Sequence, residues 1–580
     1  MRLEEYWGVG PKTAARLEDE LGYPSAVEAI ESADSRALAA AGLSRGRATQ
    51  ILRRANGGQA MDMLAAGDTR AVYKELLALA QRYAVTRHAA DRIRVLTPLG
   101  SREAMVERLD AVLSAVQAWR ALDDATRASV LDAFESYDSV DGGELAAVEV
   151  ALALAETGAA EGPFAPLAAL DADALSDAAE ALAALDDGSV EPDVDAELDR
   201  LRDARAAVED MEGTVADVLE TIRSEGVRGT EEFREAFVQY LTTETGLSTD
   251  RVREAMARDA IDASDFVTTT LRNLAVDLRT QVVDRESTVA ADLQTDVEAA
   301  REEVDAAVDA VSDVSFYVSL ARFAVDFELA RPEFVEGRDA LAVVNARNLS
   351  LVASADAVQP VTYAVGEHSL PDVPAGDRVT VLTGANSGGK TTLLETLCQV
   401  ALLAQMGLPV PADRAEVSVV DTVVFHRRHA SFNAGVLEST LRSIVPPLTD
   451  EGRTLMLVDE FEAITEPGSA ADLLHGLVTL TVEREALGVF VTHLAEDLEP
   501  LPETARTDGI FAEGLSADLE LRVDYQPRFD TVGRSTPEFI VSRLVADAAD
   551  ARERSGFETL AEAVGLETVQ RTLADARWTE

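Results

Sequence analysis

The chain has 580 residues, of which 47% are hydrophobic, and its mean hydropathy is −0.01. A chain of this length is too long for one hydrophobic core, and this composition excludes wholesale disorder. No apolar run reaches the roughly 18 residues that cross a bilayer, and the first residues lack the apolar stretch of a secretory signal. The single cysteine, Cys398, excludes a disulfide framework and a cysteine-based metal site. We therefore expect a soluble, cytoplasmic protein of several domains.

The charge is distributed unevenly along the chain. The 52 Lys and Arg residues are outnumbered by 105 Asp and Glu residues, which gives a formal net charge of −53, and only three of the 52 are lysines. Residues 1–108 have a net charge of +2, whereas the other 472 residues carry −55. An acidic, lysine-poor surface resembles that of proteins in a high-salt cytoplasm, where salt screens self-repulsion. The basic head favours an anionic partner, the alternative being a head that merely has fewer solubilising carboxylates.

Residues 1–58 are predicted to form two short helix pairs, each with glycines at a tight turn before a helix. The first of these helices is expected at Thr13–Leu21 and the second runs through Ile51 and Leu52. Free amides at the start of such helices, together with the helix dipole, attract phosphates. The pattern resembles tandem helix-hairpin-helix DNA-binding modules, which implies weakly sequence-dependent contacts to the DNA backbone; a purely structural helical hairpin is the alternative. The candidate DNA-binding residues are Gly8, Gly10, Lys12, Arg16, Gly42, Arg45, Gly46 and Arg47.

The middle of the chain is predicted to be helical. Residues 59–248 are expected to form a helical core whose part at 138–215 is acidic and alanine-rich. The stretch from about 249 to 330 is predicted as one long helical stretch, with a heptad seam that favours an intramolecular helix pair. The seam residues are Leu293, Val297, Ala300, Val304, Ala307, Val311 and Val314. The part at 60–135 also carries basic side chains, namely Arg70, Lys74, Arg82, Arg87, Arg92, Arg94, Arg102 and Arg108.

After Pro332 the pattern changes to that of an α/β domain, expected over residues 336–545 and followed by a helical tail at 546–580. Short runs rich in Val and Thr alternate there with helical segments. The predicted strands are Ala340–Val344, Val361–Tyr363, Arg378–Thr383, Val417–Phe425, Leu455–Val458 and Leu487–Val491.

The strongest motif is a complete G-x-x-x-x-G-K-[ST] phosphate loop between a buried strand and a helix. Its glycines let backbone amides curl round the phosphates, Lys390 reaches the β- and γ-phosphate oxygens, and Thr391 holds Mg²⁺. The sequence therefore predicts ATP and Mg²⁺ as cofactors. The predicted nucleotide-binding residues are Gly384, Ala385, Asn386, Ser387, Gly388, Gly389, Lys390, Thr391 and Thr392.

Two further strands end in polar side chains suited to the same chemistry. Asp459 and Glu460 follow an apolar strand 69 residues after Lys390. Asp459 is predicted to bind Mg²⁺ through water, and Glu460 to polarise the attacking water. His493 ends another strand, where a γ-phosphate sensor is expected; a structural histidine is the alternative. Glu460, Lys390 and His493 are the predicted catalytic residues.

These motifs resemble the ATPase of the MutS family. The loop with Asn386 and a double glycine, residues 403–412 and Thr492-His493 match its pattern, and residues 316–332 and 346–352 resemble its joint with the lever helices. The resemblance covers residues 250–545 and is strongest over 379–495. It implies a mainly α multidomain fold with a C-terminal α/β P-loop NTPase domain of the ABC-type MutS class and long lever, coiled-coil-like helices at 249–335. It also implies DNA-associated hydrolysis of ATP to ADP and phosphate, and dimeric composite sites.

Departures from the mismatch-correcting members narrow the resemblance. No convincing equivalent of their Phe-x-Glu wedge is found, and residues 462–467 are closer to the second-type MutS subfamily. The residues after about 545 are expected to be too few for the nuclease domain of its bacterial members, so the archaeal second-type subfamily, with ATPase and non-specific DNA-binding activities, is the nearest match. The family's trans-acting Ser-Thr-Phe signature would fall at residues 430–433, where Ser431 or Asn433 could reach a partner's nucleotide. Arg427 and Arg428 stay open between nucleotide and structural contacts.

The sequence thus predicts a DNA-binding ATPase of DNA repair or recombination, a homodimer that holds duplex or branched DNA by its phosphates, with no membrane partner. One alternative is a genuine mismatch-recognition protein. A second is a structural ATPase of SMC or transporter type whose long helices bind protein partners, and a third is a degenerate ATPase.

Overall fold

The chain forms two compact units in a computed structural model. The first comprises Met1–Phe134, Glu161–Pro163 and Ser312–Glu580, and the second comprises Glu135–Ala160 and Phe164–Val311. These units cut across the expected segment limits, which stay predictions. Within the described residues, no helix combines the length and the apolarity that crossing a bilayer requires. The structure describes residues 1–580 except 1–2, 4–5, 7–8, 32–33, 140–142, 187–188, 225, 356, 385–388, 429–433, 465–466, 516–520, 534–536, 566–568 and 574–580.

The first unit begins with a run of helices. Side-chain caps start several of them, including Ser44 for the fourth helix and Thr86 for the sixth. The first four bury Leu17, Ile30 and Ile51 in a common cluster, to which Val95 also belongs, so this core extends beyond residue 58. The helices are α1 (Pro11–Leu21), α2 (Tyr23–Glu31), α3 (Ser35–Ala40), α4 (Arg45–Gly57), α5 (Gly67–Gln81), α6 (Arg87–Arg94) and α7 (Arg102–Ala121). Helix α8 (Asp124–Ser139) begins in this unit and ends in the second.

The second unit is helical apart from one small hairpin. Its core packs helices α11 to α14 against the long helix α15, with side chains such as Leu198, Phe237 and Leu271 fully buried. Its elements are α9 (Glu144–Glu156), α10 (Ala172–Ala183), β1 (Leu185–Asp186), β2 (Ser189–Val190), α11 (Ala196–Gly213), α12 (Val215–Ser224), α13 (Thr230–Thr245), α14 (Thr249–Ala255) and α15 (Ala263–Ala299). Helix α16 (Arg301–Asp326) begins in this unit and ends in the first.

The prediction of one long helical stretch over 249–330 is wrong. The chain leaves the helix after Ala255, starts again where Asp262 caps α15, and breaks once more at Ala300, whose backbone lies outside the α region. The apolar seam nevertheless stays buried on both sides of the second break, as Val297 and Val304 show. Periodicity reports which face is buried, and a one-residue break in the backbone leaves that pattern unchanged.

The α/β part of the first unit contains two sheets, which confirms the expectation of a mainly helical chain with an α/β portion. A six-stranded sheet has the order β12-β11-β6-β10-β9-β8, and a four-stranded sheet has the order β3-β7-β4-β5. The elements are β3 (Pro332–Phe334), β4 (Ala340–Ala346), α17 (Leu349–Val352), β5 (Val361–Gly366), β6 (Val379–Gly384), α18 (Lys390–Gln405), β7 (Arg414–Val417), β8 (Thr422–His426), α19 (Ala434–Thr449), β9 (Thr454–Asp459), α20 (Pro467–Glu483), β10 (Leu487–Val491), β11 (Ala505–Leu515), β12 (Leu521–Arg528), α21 (Pro537–Asp547) and α22 (Ala551–Val564).

Five neighbouring strands of the larger sheet, from β11 to β8 in its order, run parallel, so their carboxyl ends share one edge. The register aligns Leu382 of β6 with Val491 of β10, and Val491 with Asp459 of β9. Strand β8 continues this parallel set beyond β9. Ligands of open α/β sheets bind at such an edge, which places the candidate site.

Two strand predictions fail for identifiable reasons. The run 417–425 is not one strand: β7 and β8 belong to different sheets, because the chain turns between them and Asp421 is held by the backbone of Arg453. Strands β11 and β12 were not predicted. In β11 the buried side chains include the ion pair Arg506–Asp508. A strand with charged residues in its interior lacks the apolar run by which a buried strand is predicted from sequence.

Candidate functional site

The phosphate loop joins strand β6 to helix α18. Gly384 ends the strand at a φ of +137°, where a Cβ would lie 2.3 Å from the carbonyl oxygen of Ile510, so only glycine fits. Gly389 precedes the helix in the left-handed region, at a φ of +77°. The predicted residues between them, Ala385, Asn386, Ser387 and Gly388, lie outside the described residues.

Lys390 is the buried cation of the loop. Only 5% of it is exposed, and its Nζ donates to the carbonyl oxygen of Gly384 at 2.9 Å. Burial lowers the pKa of this ammonium, and the nearby carboxylates of Glu460 and Asp459 act in the opposite direction. The cation is therefore held against the start of the loop, among acidic groups that favour its charged form.

Thr391 and Asp459, the two residues that the sequence predicts for a magnesium site, are in direct contact. The Thr391 hydroxyl donates to Asp459 Oδ2 at 2.6 Å. The other carboxylate oxygen, Oδ1, is buried and has no hydrogen-bond partner within the described part of the chain. Burial raises the pKa of Asp459, while the hydrogen bond from Thr391 lowers it. A hydroxyl beside a carboxylate with one unmatched oxygen is an oxygen donor set that suits Mg²⁺. Thr392, the next predicted residue, lines a cavity that adjoins the phosphate loop and is described below.

Glu460 is fixed at the end of β9 by two neighbours. Its backbone has a φ of +42°, and its side chain is almost fully buried. His493 Nε2 lies 3.1 Å from Oε1, and the Arg428 guanidinium lies 2.7 Å from Oε2. The hydrogen bond from His493, assisted by the charges of His493 and Arg428, lowers the pKa of Glu460. The carboxyl group is thus kept ionised, as an acceptor of a water proton must be.

Glu462 belongs to the site, and sequence reasoning missed it. Its Oε1 accepts from the backbone N–H of His493 at 2.7 Å and from the Thr492 hydroxyl at 2.9 Å. Glu462 therefore ties the end of β10 to the turn after β9 and positions the residue that touches Glu460. The sequence did contain a sign of this role, because Glu462 occupies the position at which the mismatch-type pattern has glycine.

The structure separates the two arginines whose roles were open. Arg427 pairs with Glu395 at 3.1 Å, and its backbone N–H donates to Asp68. Arg428 pairs with Glu460 and lines the cavity that adjoins the phosphate loop. Arg427 is thus a structural contact, and Arg428 belongs to the candidate site.

The predicted trans-acting residues, Ser431 and Asn433, lie outside the described residues. The stretch Ser439-Thr440-Leu441 in α19 has the first two residues of the Ser-Thr-Phe signature in order, a match that the sequence prediction overlooked.

A cavity of about 520 Å³ adjoins the phosphate loop. Lys390, Thr391 and Glu460 line one side of it, and Val358 and Tyr525 line another. Its volume is within the range usual for small-molecule sites. Tyr525 of β12 reaches the loop so closely that a Cβ on Gly389 would lie 2.7 Å from its ring. Sequence reasoning missed Tyr525, because only the fold brings β12 beside the loop.

The start of the first predicted helix, α1, has fewer free backbone amides for a phosphate than we expect from the sequence. Helix α1 begins at Pro11, two residues earlier than predicted, and Pro11 has no N–H to offer. The amides of Thr13 and Ala14 already donate to the Gly10 carbonyl. Among the described residues of this helix start, the amide of Lys12 has no such acceptor, and the residue is exposed. Gly8 lies outside the described residues.

In the second helix pair, too, some of the groups that could bind phosphate already make hydrogen bonds within the fold. Ser44 Oγ accepts from the Arg47 amide at 3.3 Å, which uses one of the first N–H groups of α4. Arg16 donates to the carbonyl of Gly42 at 3.1 Å, and Gly42 has a φ of +82°, so Arg16 holds this turn; its contact with DNA stays a prediction. Arg45, Gly46 and Arg47 are exposed. Charge on side chains, more than free amides, is what this surface offers to an anion.

The strand order, the glycine motif in the sequence before Lys390 and the Thr391–Asp459 contact are the features of a P-loop domain. Residues 380–504 match the family model described as MutS domain V. The chain is 43% identical over 235 residues to the DNA-binding protein MutS2 of Pyrococcus furiosus, with 40% of each chain covered. It is 26% identical over 252 residues to the Endonuclease MutS2 of Gemmatimonas aurantiaca, covering 42% of this chain and 29% of that protein. It is 30% identical over 212 residues to the DNA mismatch repair protein MutS of Anaeromyxobacter dehalogenans, covering 33% and 23%.

These matches span 40% or less of the length of the relatives. They support a MutS-family, MutS2-like protein. The family likeness inferred from the phosphate loop and the strand ends is thereby confirmed at this level.

Proposed function

We propose that the protein is a Mg²⁺-dependent ATPase coupled to DNA. The observation that carries the proposal is the meeting of a helix start and two strand ends beside one cavity: Thr391 of α18 contacts Asp459, and His493 contacts Glu460. These residues come from three separate segments of the chain, and a parallel sheet edge is where a triphosphate, a cation and a water can meet.

The chain supplies the cationic side of the phosphate site. Lys390 exchanges its bond to the Gly384 carbonyl for phosphate oxygens, which carry more negative charge and make a charge-assisted bond. The amide end of α18 faces the same point, since the helix starts at Lys390. The start of α18 is already in place, and Lys390 has only to leave the Gly384 carbonyl at the edge of the same loop.

Mg²⁺ fits beside these groups. Thr391 and Asp459 would hold it, and the unmatched Oδ1 of Asp459 is the observation that favours this. Bound there, the cation would neutralise charge on the β- and γ-phosphates.

Glu460 orients the attacking water in this proposal. Its carboxylate is ionised, and its position is set by His493 on one oxygen and Arg428 on the other. For a water to be activated, one of these contacts has to give way to it. Arg428 is the group that exchanges, because its side chain is 55% exposed whereas that of His493 is 31% exposed.

The base of the nucleotide has an apolar place in the same cavity. Val358 and Val361 contribute aliphatic surface, and the Tyr525 ring contributes a face suited to stacking. No charged group is needed for this contact, so we expect it to add affinity with modest base selectivity.

The decisive experiment compares Glu460→Gln with Glu558→Gln, an equal loss of charge on the exposed face of α22. ATP binding and phosphate release are measured in molar KCl with MgATP. Glu460→Gln is expected to retain ATP and to lose about 10²–10⁴-fold in turnover, the usual contribution of a general base. Turnover equal to wild type in Glu460→Gln would show a different water-activating group. Wild-type protein that neither binds nor cleaves ATP would refute the proposal.

DNA is the proposed partner, in a repair or recombination setting. The relatives, which include a DNA-binding protein, support this, as does the net positive charge of residues 1–108 in an otherwise acidic chain. Contacts to phosphates imply little sequence preference and strong salt dependence. ATPase assays with homoduplex, mismatched and branched DNA test it: a tenfold or greater preference for mispaired duplex would instead favour mismatch recognition. A homodimer with composite ATP sites is proposed with it, and sedimentation with and without ATP tests that part.

A further inference from the structure

A basic concavity lies beyond the two predicted helix pairs. We call it the basic cradle: the cavity of about 810 Å³ lined by Arg45, Arg53, Arg54, Lys74 and Arg94. Its residues come from α4, α5 and α6, so it joins the second helix pair to the two helices that follow. No Asp or Glu residue lines it within the part of the chain that the structure describes.

Three of the five cations are fixed by the fold and form the walls of the cradle. Arg53 donates through Nε and Nη2 to the Arg94 carbonyl at 3.0 and 2.7 Å. Arg54 pairs with Asp62 at 2.7 Å, and Arg94 pairs with Asp91 at 2.8 Å. These side chains keep their positive charge in place without closing the cavity.

The other two cations have no internal role among the described residues. Arg45 and Lys74 are exposed, and neither side chain has a hydrogen-bond or ion-pair partner there. Lys74 is one of only three lysines in the chain, and another is the phosphate-loop Lys390.

Other basic side chains of this region are used differently. Arg70 donates to the carbonyls of Leu64 and Ala65, and Arg108 donates to that of Met406. These contacts hold the fold together. In the cradle, Asp62 and Asp91 balance the charges of Arg54 and Arg94, whereas Arg45, Arg53 and Lys74 have no carboxylate partner among the described residues. These three like charges repel one another, and a polyanion that binds there relieves the repulsion and releases counterions.

We propose that the basic cradle binds the phosphodiester backbone of duplex DNA, so that the DNA interface extends from residues 1–58 onto α5 and α6. The inference rests on the proposed DNA-binding function. Duplex fits better than a single strand, because no aromatic side chain lines the described cavity to stack an unpaired base, and Tyr73 beneath Arg53 is buried.

The test measures the affinity of the full-length protein for a fluorescent 30-base-pair duplex between 0.2 and 1 M KCl. The variants are Arg45→Gln, Lys74→Gln, their combination, and Arg82→Gln as control. Arg82 lies at the C-terminal end of α5, is exposed and does not line the cradle. Removing one phosphate contact reduces the slope of log K against log[salt] by about 0.9. We expect that reduction for each single variant, about twice as much for the double variant, and none for Arg82→Gln. Circular dichroism and DNA-free ATPase activity check that the variants are folded.

Four results would overturn the proposal. Cradle variants with the wild-type slope, while Lys12→Gln loses affinity, would confine the interface to residues 1–58 and leave DNA binding intact. An equal loss in Arg82→Gln would show a general effect of net charge. Wild-type affinity that falls to that of the double variant in 20 mM inorganic phosphate at constant ionic strength would show a site for free phosphate. If wild-type protein binds no duplex at any salt concentration, the proposed DNA-binding function fails as well.

Discussion

Truncation of Glu462 is the most direct test of how the site holds its histidine. In Glu462→Ala the backbone N–H of His493 and the hydroxyl of the buried Thr492 both lose their acceptor. A hydrogen bond to a charged group contributes about 1.5–3 kcal/mol, so the end of β10 is released by an interaction of that order or more. If about 1.4–2.7 kcal/mol of it holds His493 against Glu460, turnover falls about 10- to 100-fold.

The assay is phosphate release at saturating MgATP, with the KM for ATP measured in parallel. Glu462→Gln is the matched control, because its amide oxygen can replace Oε1 as the acceptor. We expect it to lose less than about fivefold in turnover, and both variants to keep the wild-type KM because Glu462 does not line the cavity. Turnover of Glu462→Ala within twofold of wild type would refute the positioning role. Equal losses in both variants would show that the charge of Glu462 matters and its hydrogen-bond geometry does not.

Three other outcomes are expected. Gly389→Ala places a Cβ 2.7 Å from the Tyr525 ring at a left-handed φ, which costs about 1–3 kcal/mol of strain. We expect the affinity for ATP, measured by equilibrium binding, to fall about tenfold or more, whereas the control Gly476→Ala on an open face of α20 leaves it unchanged. The Arg285 guanidinium lowers the pKa of Asp195 to about 2, so this contact stabilises the fold at pH values above the ordinary pKa of 3.8, and the stabilisation is lost as the pH falls toward 2. The difference in Tm between wild type and Arg285→Gln is therefore expected to shrink over that pH range, and a difference that grows there contradicts the assignment. Raising KCl from 0.2 to 2 M raises Tm by screening the net charge of −53, and a flat or falling Tm would exclude self-repulsion as the limiting factor.

The sequence was informative where the chemistry is local. The strand, glycine loop and helix around Lys390 are adjacent along the chain, and their order alone predicts a phosphate loop. The apolar strand before Asp459 and the strand before His493 are equally legible, because a buried parallel strand is a continuous apolar run. The sequence predicted the strands of the β6–β10–β9 set within one or two residues at each end.

Prediction was weakest where a residue's role depends on a distant neighbour. Arg427 and Arg428 are adjacent and chemically identical, and only the packing shows that the first meets Glu395 and the second meets Glu460. Strand β11 was missed because its interior holds an ion pair, whose burial is compensated by neighbours that the sequence does not reveal. Helix starts were also uncertain, as the early start of α1 at Pro11 shows.

The amino-acid sequence by itself determined that a phosphate loop is followed by an acidic strand end, and that a basic head precedes an acidic body. Those properties depend only on consecutive residues and on the number of charged residues in each segment. Only the tertiary structure decided that Tyr525 approaches the loop, that Glu462 holds the turn carrying His493, and that Lys74 shares a cavity with Arg45. The physical reason is that each of these contacts joins segments whose approach is set by the packing of a whole sheet or helix cluster, and short-range sequence patterns carry no record of it.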